Sequence, residues 1–232
     1  MEKLVYVVWR PSGASADDFA QQLCAAAASW SRLGARKVSV NVVDRFVEPA
    51  LAVRLTHLDP PPSAVVSFWL DVCDDRGPIE DDLSRRSARV AGYLVVESVP
   101  LVNTTRTARL GERTPGINMI ALIERPDRIP YDRWIEHWHG HHKRVALETQ
   151  CTYAYVRNVV VRPLTSGAPP WAGIVEEGFP SEAVTDPMLW YRADGSPETL
   201  QKNMGRMIDS VQAFLDIDKV ESHPMSEYRI SD

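Results

Sequence analysis

Leu4-Val5-Tyr6-Val7-Val8-Trp9-Arg10-Pro11 and Ile117-Asn118-Met119-Ile120-Ala121-Leu122-Ile123-Glu124-Arg125-Pro126 share one pattern, an apolar run closed by Arg-Pro. Such runs are half-buried or buried strands. Proline cannot donate to a ladder, so it ends them. Pro11 and Pro126 stand 115 residues apart. At that offset Phe19 falls on Trp134, Leu23 on Trp138, Ala27 on His142, and Val38–Val43 on Tyr153–Asn158. A fixed offset maintained through a strand, a helix and a second strand marks an internal repeat.

Each copy reads as βαββαβ. In residues 1–102, a strand ending at Trp9 leads to a helix from Ala16 to Leu33. Asp17 and Asp18 suit the positive end of its dipole and Gly34 suits its stop. Strands follow at Arg36–Val47 and Ala64–Val72 beyond the stiff Pro60-Pro61-Pro62 link, then a helix near Asp81–Ala91 and a strand Gly92–Val99. Residues 117–232 read as strand Ile117–Glu124, helix Pro130–Thr149, strands Cys151–Arg162 and Ala172–Phe179, helix Glu198–Leu215 and a last strand near Lys219–Tyr228. Asn103–Gly116 is the linker. Leu164–Pro170 and Ser181–Pro197 are irregular, the latter with room for a short helix or lid. This order predicts two ferredoxin-like sheets, each with helices on one face. Two half-covered sheets bury their bare faces by packing together, so the expected fold is an α+β barrel within one chain.

The chain has 232 residues, 44% hydrophobic and 25% charged, with a net charge of −5 and no long run of one sign. That balance excludes an extended nucleic-acid surface. No apolar stretch approaches the ~20 residues of a membrane helix. Three unpaired cysteines and a start too short for a signal peptide point to reduced thiols in the cytoplasm.

Four of the six histidines stand in His137-Trp138-His139-Gly140-His141-His142. At about 100° per residue, Trp138, Val145 and Thr149 lie within ~60° of Trp134, with His142 at ~80° and His141 at about −20°. This is an apolar stripe carrying an imidazole, and His139 points away. Regular geometry lets only His137 and His141 share an ion. The zincin pattern needs a glutamate where Trp138 stands, and no other ligand cluster occurs, so no metal is expected. Gly140 costs helix stability and suggests either a close approach or a kink. His142 is either a proton donor or acceptor in a pocket, or a core histidine satisfied by a carbonyl.

Strand alternation places Tyr153, Tyr155 and Arg157 on one face, where the first copy has Val38, Val40 and Val42. The second copy therefore carries the site. Glu176 and Glu177, adjacent in a strand, must face opposite ways, so that either one of them faces inward or the strand is an edge with both in water.

The segment Tyr131–His142, with Trp134, Trp138 and His142 at intervals of four, resembles the signature of the EthD family of the dimeric α+β barrel superfamily. Ile174–Phe179 and Ile208–Asp216 are similar to its third strand and closing helix. The extra histidines, Lys143-Arg144 and Ala27 in the first copy depart from the pattern. The resemblance implies a small apolar or aromatic ligand, walled by Trp134 and Trp138 and oriented by His141, Tyr153, Tyr155, Arg157 or Glu177. It implies His142 as the catalytic group of a cofactor-free lyase, cyclase or monooxygenase-type enzyme. The alternatives are a non-catalytic accessory protein binding a small molecule, or haem on His142 or His141. A further homodimer is compatible with the fold.

Overall fold

The computed structural model describes residues 1–232. The first half contains β1 (Glu2–Trp9), α1 (Ala16–Ala27), β2 (Arg36–Val42), β3 (Ala64–Leu70), α2 (Gly77–Arg86) and β4 (Arg89–Leu101). The second contains β5 (Ile117–Ile123), α3 (Tyr131–Glu136), a π-helical turn (His137–His142), α4 (Lys143–Thr149), β6 (Ala154–Pro163), β7 (Gly173–Phe179), α5 (Pro187–Trp190), α6 (Pro197–Gln212) and β8 (Glu221–Arg229). Ser15 Oγ accepts the Asp18 N–H and caps α1, and Gly34 stops the 3₁₀ turn that follows it at φ 90°.

All pairings are antiparallel, and the eight strands close into one barrel in the order β1-β3-β2-β8-β5-β7-β6-β4. Each half thus contributes the same local order, β4-β1-β3-β2 and β8-β5-β7-β6. The ladders β2–β8 and β4–β6 join the halves. Closure leaves no free sheet edge.

Alternation sorts every strand into a lumen face and an outer face. Val5, Val7 and Trp9 enter the lumen with Ile120, Leu122, Ile174 and Met225. Leu4, Tyr6 and Val8 pack outward under α1 and α2. At one end the lumen turns polar. Lys3 Nζ pairs with Glu97 and with Glu176 at 3.4 Å, Asn158 Nδ2 donates to Glu176 at 3.0 Å, and Asn118 Nδ2 donates to Asn41 at 2.8 Å. Of the adjacent carboxylates, Glu176 therefore faces the lumen and Glu177 the helices.

Several boundaries differ from the sequence reading: α2 spans Gly77–Arg86 rather than Asp81–Ala91, with Pro78 in its first turn, and β4 already begins at Arg89. β2 stops at Val42 rather than Val47, because Asp44 turns the chain: its Oδ1 accepts the Phe46 N–H at 3.1 Å and the Ser226 hydroxyl at 2.7 Å. β4 runs to Leu101, since it pairs with β1 on one side and β6 on the other. β6 starts at Ala154, which leaves Tyr153 before the strand.

The repeat offset also slips. Leu4 faces Phe68 as Met119 faces Glu177. Val40 faces Val66, whereas it is Arg157 that faces Val175. Beyond the first helix the equivalent of Val40 is therefore Arg157 and not Tyr155. The longer, π-turned helix of the second half absorbs the extra residues. A slip of two preserves the face in a period-two strand, so the inside-outside assignment of Tyr155 and Arg157 survives.

Gly173 and Gly140 have opposite meanings. A Cβ on Gly173 would stand 2.5 Å from the Trp138 ring, while one on Gly140 meets nothing within 4 Å. Gly173→Ala is expected to destabilise the protein by about 1–3 kcal/mol through overpacking. Gly140→Ala, at an exposed helical position, is expected to leave stability unchanged or raise it by up to ~1 kcal/mol. Thermal melts of the two variants check both.

Candidate functional site

The site is built from the outer face of the second half. By ladder register, Tyr6 and Phe68 of the first half correspond to Ala121 and Glu177 of the second. In the first half Tyr6 stacks on Phe68 with centroids 5.7 Å apart, and its hydroxyl donates to Glu80 at 2.7 Å. That space is full. In the second half the small Ala121 leaves a cavity of about 200 Å³ between sheet and helices. His142, Trp138, Tyr155, Glu177, Phe214 and Gln150 are among its lining residues.

The π turn puts His142 there. One extra residue in a turn sets the helical phase back by about 100°. His142 then moves from the margin of the apolar stripe toward its middle, and His141 rotates out. His142 is half-buried and His141 exposed. Arg157 ties the turn to the barrel, donating from Nη1 to the His139 carbonyl at 3.3 Å and from Nε to Ser98 Oγ at 3.1 Å.

Hydrogen bonds constrain the two imidazoles. His137 Nε2 lies 3.0 Å from the Ser210 carbonyl oxygen, which can only accept, so Nε2 carries a proton. Ser210 Oγ lies 3.0 Å from His142 Nδ1 and 3.4 Å from His137 Nε2. The Ser210 hydroxyl therefore bridges the two imidazoles and holds His142 through Nδ1. His142 Nε2 has no protein partner, and it becomes a donor to the cavity in the tautomer whose Nδ1 accepts the serine proton. Burial, reinforced by His137, His141 and Arg157, lowers the His142 pKa to about 3, so the ring is neutral near pH 7. Phe214 packs against it at 4.8 Å.

Glu177 is the second titratable group in the cavity. No side-chain hydrogen bond or ion pair holds its carboxyl, and burial alone raises its pKa to about 7. A carboxyl balanced between its two forms at neutral pH, lining the same cavity as a neutral imidazole, can take up or release a proton. Tyr155 is buried beside it; burial, then the Glu177 charge, pushes its phenol pKa upward.

Four of the residues named from sequence converge on the cavity: His142, Trp138, Tyr155 and Glu177. Trp134 does not line it; it is fully buried behind Trp138, rings 4.9 Å apart. His141 packs at a tilt against His137 at the surface, ring centroids 4.9 Å apart. Tyr153 lies at the polar mouth of the lumen, its hydroxyl donating to the Pro115 carbonyl at 3.0 Å. Arg157 supports the π turn rather than lining the cavity. Sequence pattern passes over Ser210, which shares the buried face of α6 with Asn203 and Met207. Trp190 was also missed. The Ser181–Pro197 segment folds as a 3₁₀ turn and α5, and stacks Trp190 on Phe179 at 4.0 Å over the cavity. At about 200 Å³ the space falls short even of the ~300 Å³ where pockets for drug-sized ligands begin. A haem does not fit it. No group of three His, Cys, Asp or Glu side chains is placed to hold a metal ion, and no helix is long and apolar enough to cross a membrane.

Comparison with solved structures supports the architecture. An anthrone oxidase-like protein superimposes with a TM-score of 0.60 at 8% identity, covering 100% of this chain and 94% of that one. A protein described as a monooxygenase from Lactobacillus acidophilus NCFM gives 0.49 at 6% identity over 99% and 96% of the two chains. Chlorite dismutase from Candidatus Nitrospira defluvii gives 0.46 at 8% identity over 97% and 90%. The chain has the fold of the dimeric α+β barrel proteins, with both sheets supplied by one polypeptide. No family model and no curated protein matches it.

The two titrating groups act on stability in opposite directions. Glu177 has a raised pKa, so its contribution is present below the ordinary carboxylate range and is lost as pH rises through about 7. His142 has a lowered pKa, so its contribution is present above ~6.5 and is lost as pH falls toward 3. Glu177→Gln is expected to raise the melting temperature at pH 8 by a few degrees, roughly 2–6 °C, and to leave it nearly unchanged at pH 5. Melts at the two pH values check the sign.

Proposed function

We propose that the second-half cavity binds a small, largely apolar carbonyl compound of about single-ring size and moves a proton on it. This is the chemistry of a metal-free lyase, cyclase or isomerase step. The observation that carries this reading is the unpartnered Glu177 carboxyl lining the same apolar cavity as a neutral His142 imidazole whose Nε2 has no protein partner. Glu177 takes the proton from the carbon next to the carbonyl. The electron pair moves to the carbonyl oxygen, and His142 Nε2–H donates to that oxygen as negative charge develops. The proton, or a new bond, then returns to carbon. A neutral imidazole as electrophile beside a glutamate base is a known pairing for this task, because a fixed donor in a dry site stabilises an enolate without itself changing charge. Trp138 and Phe214 pack the flat faces of the ligand, and the Tyr155 hydroxyl supplies a second donor. A dry apolar cavity of ~150 Å³ accommodates benzene, so about 200 Å³ suits one ring with a short substituent. The likeness of the Tyr131–His142 segment to the EthD signature is compatible with such a catabolic or biosynthetic role. Ser210 and His137 act as positioning residues that fix the His142 tautomer.

Deuterium exchange from solvent into a panel of small aryl ketones, read by NMR, tests the proposal whichever ketone is the natural substrate. Wild-type protein is expected to accelerate exchange along a pH profile rising through about 7. Glu177→Gln and His142→Phe are each expected to lower the rate about 100-fold or more, with the ligands still bound. Ser210→Ala is expected to cost less, and to change the ¹⁵N shifts of His142 as its tautomer is released. Binding without exchange in the wild type would identify a carrier instead. Exchange that survives Glu177→Gln would overturn the assignment of the base.

A further inference from the structure

The opposite mouth of the barrel carries a charge imbalance that the proton-transfer site does not use. The loop after β1 (Arg10–Gly13), the segment Pro60–Ser63 before β3, Val43, Arg54 and Ala88 surround a cavity of about 360 Å³ floored by Trp9. The lining includes two charged residues, Arg10 and Arg54, and no carboxylate. Neither guanidinium makes a salt bridge or a side-chain hydrogen bond. Arg54 Nε is buried without any partner.

A buried guanidinium N–H without an acceptor costs free energy that a surface arginine avoids by hydration. Two guanidiniums sharing one cavity add repulsion; burial first, then Arg10, lower the Arg54 pKa. Glu221 is near enough to oppose this, yet its oxygens are already occupied. They accept from the Thr56 hydroxyl at 2.7 Å, the His57 N–H at 2.6 Å and His223 Nε2 at 3.0 Å. Arg89, the next cation, lies over the Trp9 ring at 4.4 Å and donates to the Gly167 carbonyl. The walls are stiff, since Pro60-Pro61-Pro62 lines one side and Trp9 Nε1 donates to the Pro60 carbonyl at 3.0 Å.

We propose that this mouth is a second binding site, which takes a small molecule bearing an oxyanion, carboxylate or phosphate, between Arg10 and Arg54. The planar fork of a guanidinium matches both groups. An oxygen placed against Arg54 satisfies the orphaned Nε–H, and its charge relieves the repulsion from Arg10. Ser12 and Ser63 line the same cavity, and Trp9 offers an apolar wall to the remainder of the ligand.

Titration of ¹⁵N-labelled full-length protein with sodium phosphate, and separately with sodium benzoate, at constant ionic strength tests this through the Trp9 indole resonance. At least one anion is expected to shift that resonance saturably. Preference for benzoate identifies a carboxylate ligand, and preference for phosphate a phosphate ligand. Arg54→Gln and Arg10→Gln are each expected to weaken binding about tenfold, the loss of one charge-assisted hydrogen bond. Arg54→Lys keeps the charge and loses the Nε donor, and is expected to weaken binding to a similar degree. Arg10 is exposed, so its variant remains informative should the Arg54 variants fail to fold. The proposal is overturned if neither anion gives a saturable shift, or if affinity is unchanged in the variants that fold.

Discussion

Everything in this protein depends on the two ladders that join its halves, β2 with β8 and β4 with β6. A four-stranded sheet with helices on one face leaves the other face bare, and neither half has further elements to cover it. Closing the eight strands buries Val5, Val7, Ile120, Leu122, Ile174 and Met225 against one another in the lumen, and leaves the outer faces to the helices. Both cavities follow from that division. The proton-transfer cavity lies between the outer face and the helices, and the arginine-lined cavity lies at a mouth of the lumen.

The halves share a frame and differ in what fills it. Under the first-half helices, Tyr6, Phe68 and Val40 close the space, and the one polar atom of consequence, the Tyr6 hydroxyl, is satisfied by Glu80. At the matching register positions the second half has Ala121, Glu177 and Arg157. The exchange of Tyr for Ala opens volume, and the exchange of Phe for Glu puts an ionisable group at its wall. The third change, Val to Arg, braces the π turn that carries His142. A core that only needed to be filled would not trade an aromatic pair for a cavity and an unpaired carboxyl, because both cost stability. Such local costs collect where function requires them.

The electrostatics of the cavity are set by burial. His142 loses its charge and Glu177 gains a proton affinity near neutrality for the same reason, desolvation by a mostly apolar surrounding. Ser210 then chooses which imidazole nitrogen faces inward. No strong ion pair enters the cavity, so a ligand meets one neutral imidazole and one carboxyl poised between two states.

Much of this was legible in the chain. The Arg-Pro-terminated runs at Trp9 and Ile123 revealed the repeat, and period-two and 3.6-period patterns revealed the element order, because local apolar periodicity reports which face each element must bury. The same alternation put Glu176 and Glu177 on opposite faces, and only the closed barrel decided that Glu176 enters the lumen. What local pattern could not carry was the phase of the histidine helix, since a π turn leaves no mark in the hydrophobic periodicity. It also could not carry the two-residue slip that makes Arg157 rather than Tyr155 the equivalent of Val40. Trp134 and Trp138 look alike in sequence, yet only one reaches the cavity. Depth along a helix face is decided by the partner sheet. Ser210 and Trp190, and the meeting of Arg10 with Arg54, belong to segments far apart in the chain. Their proximity is a product of how helices and loops pack on the sheet within each half, which local periodicity does not encode.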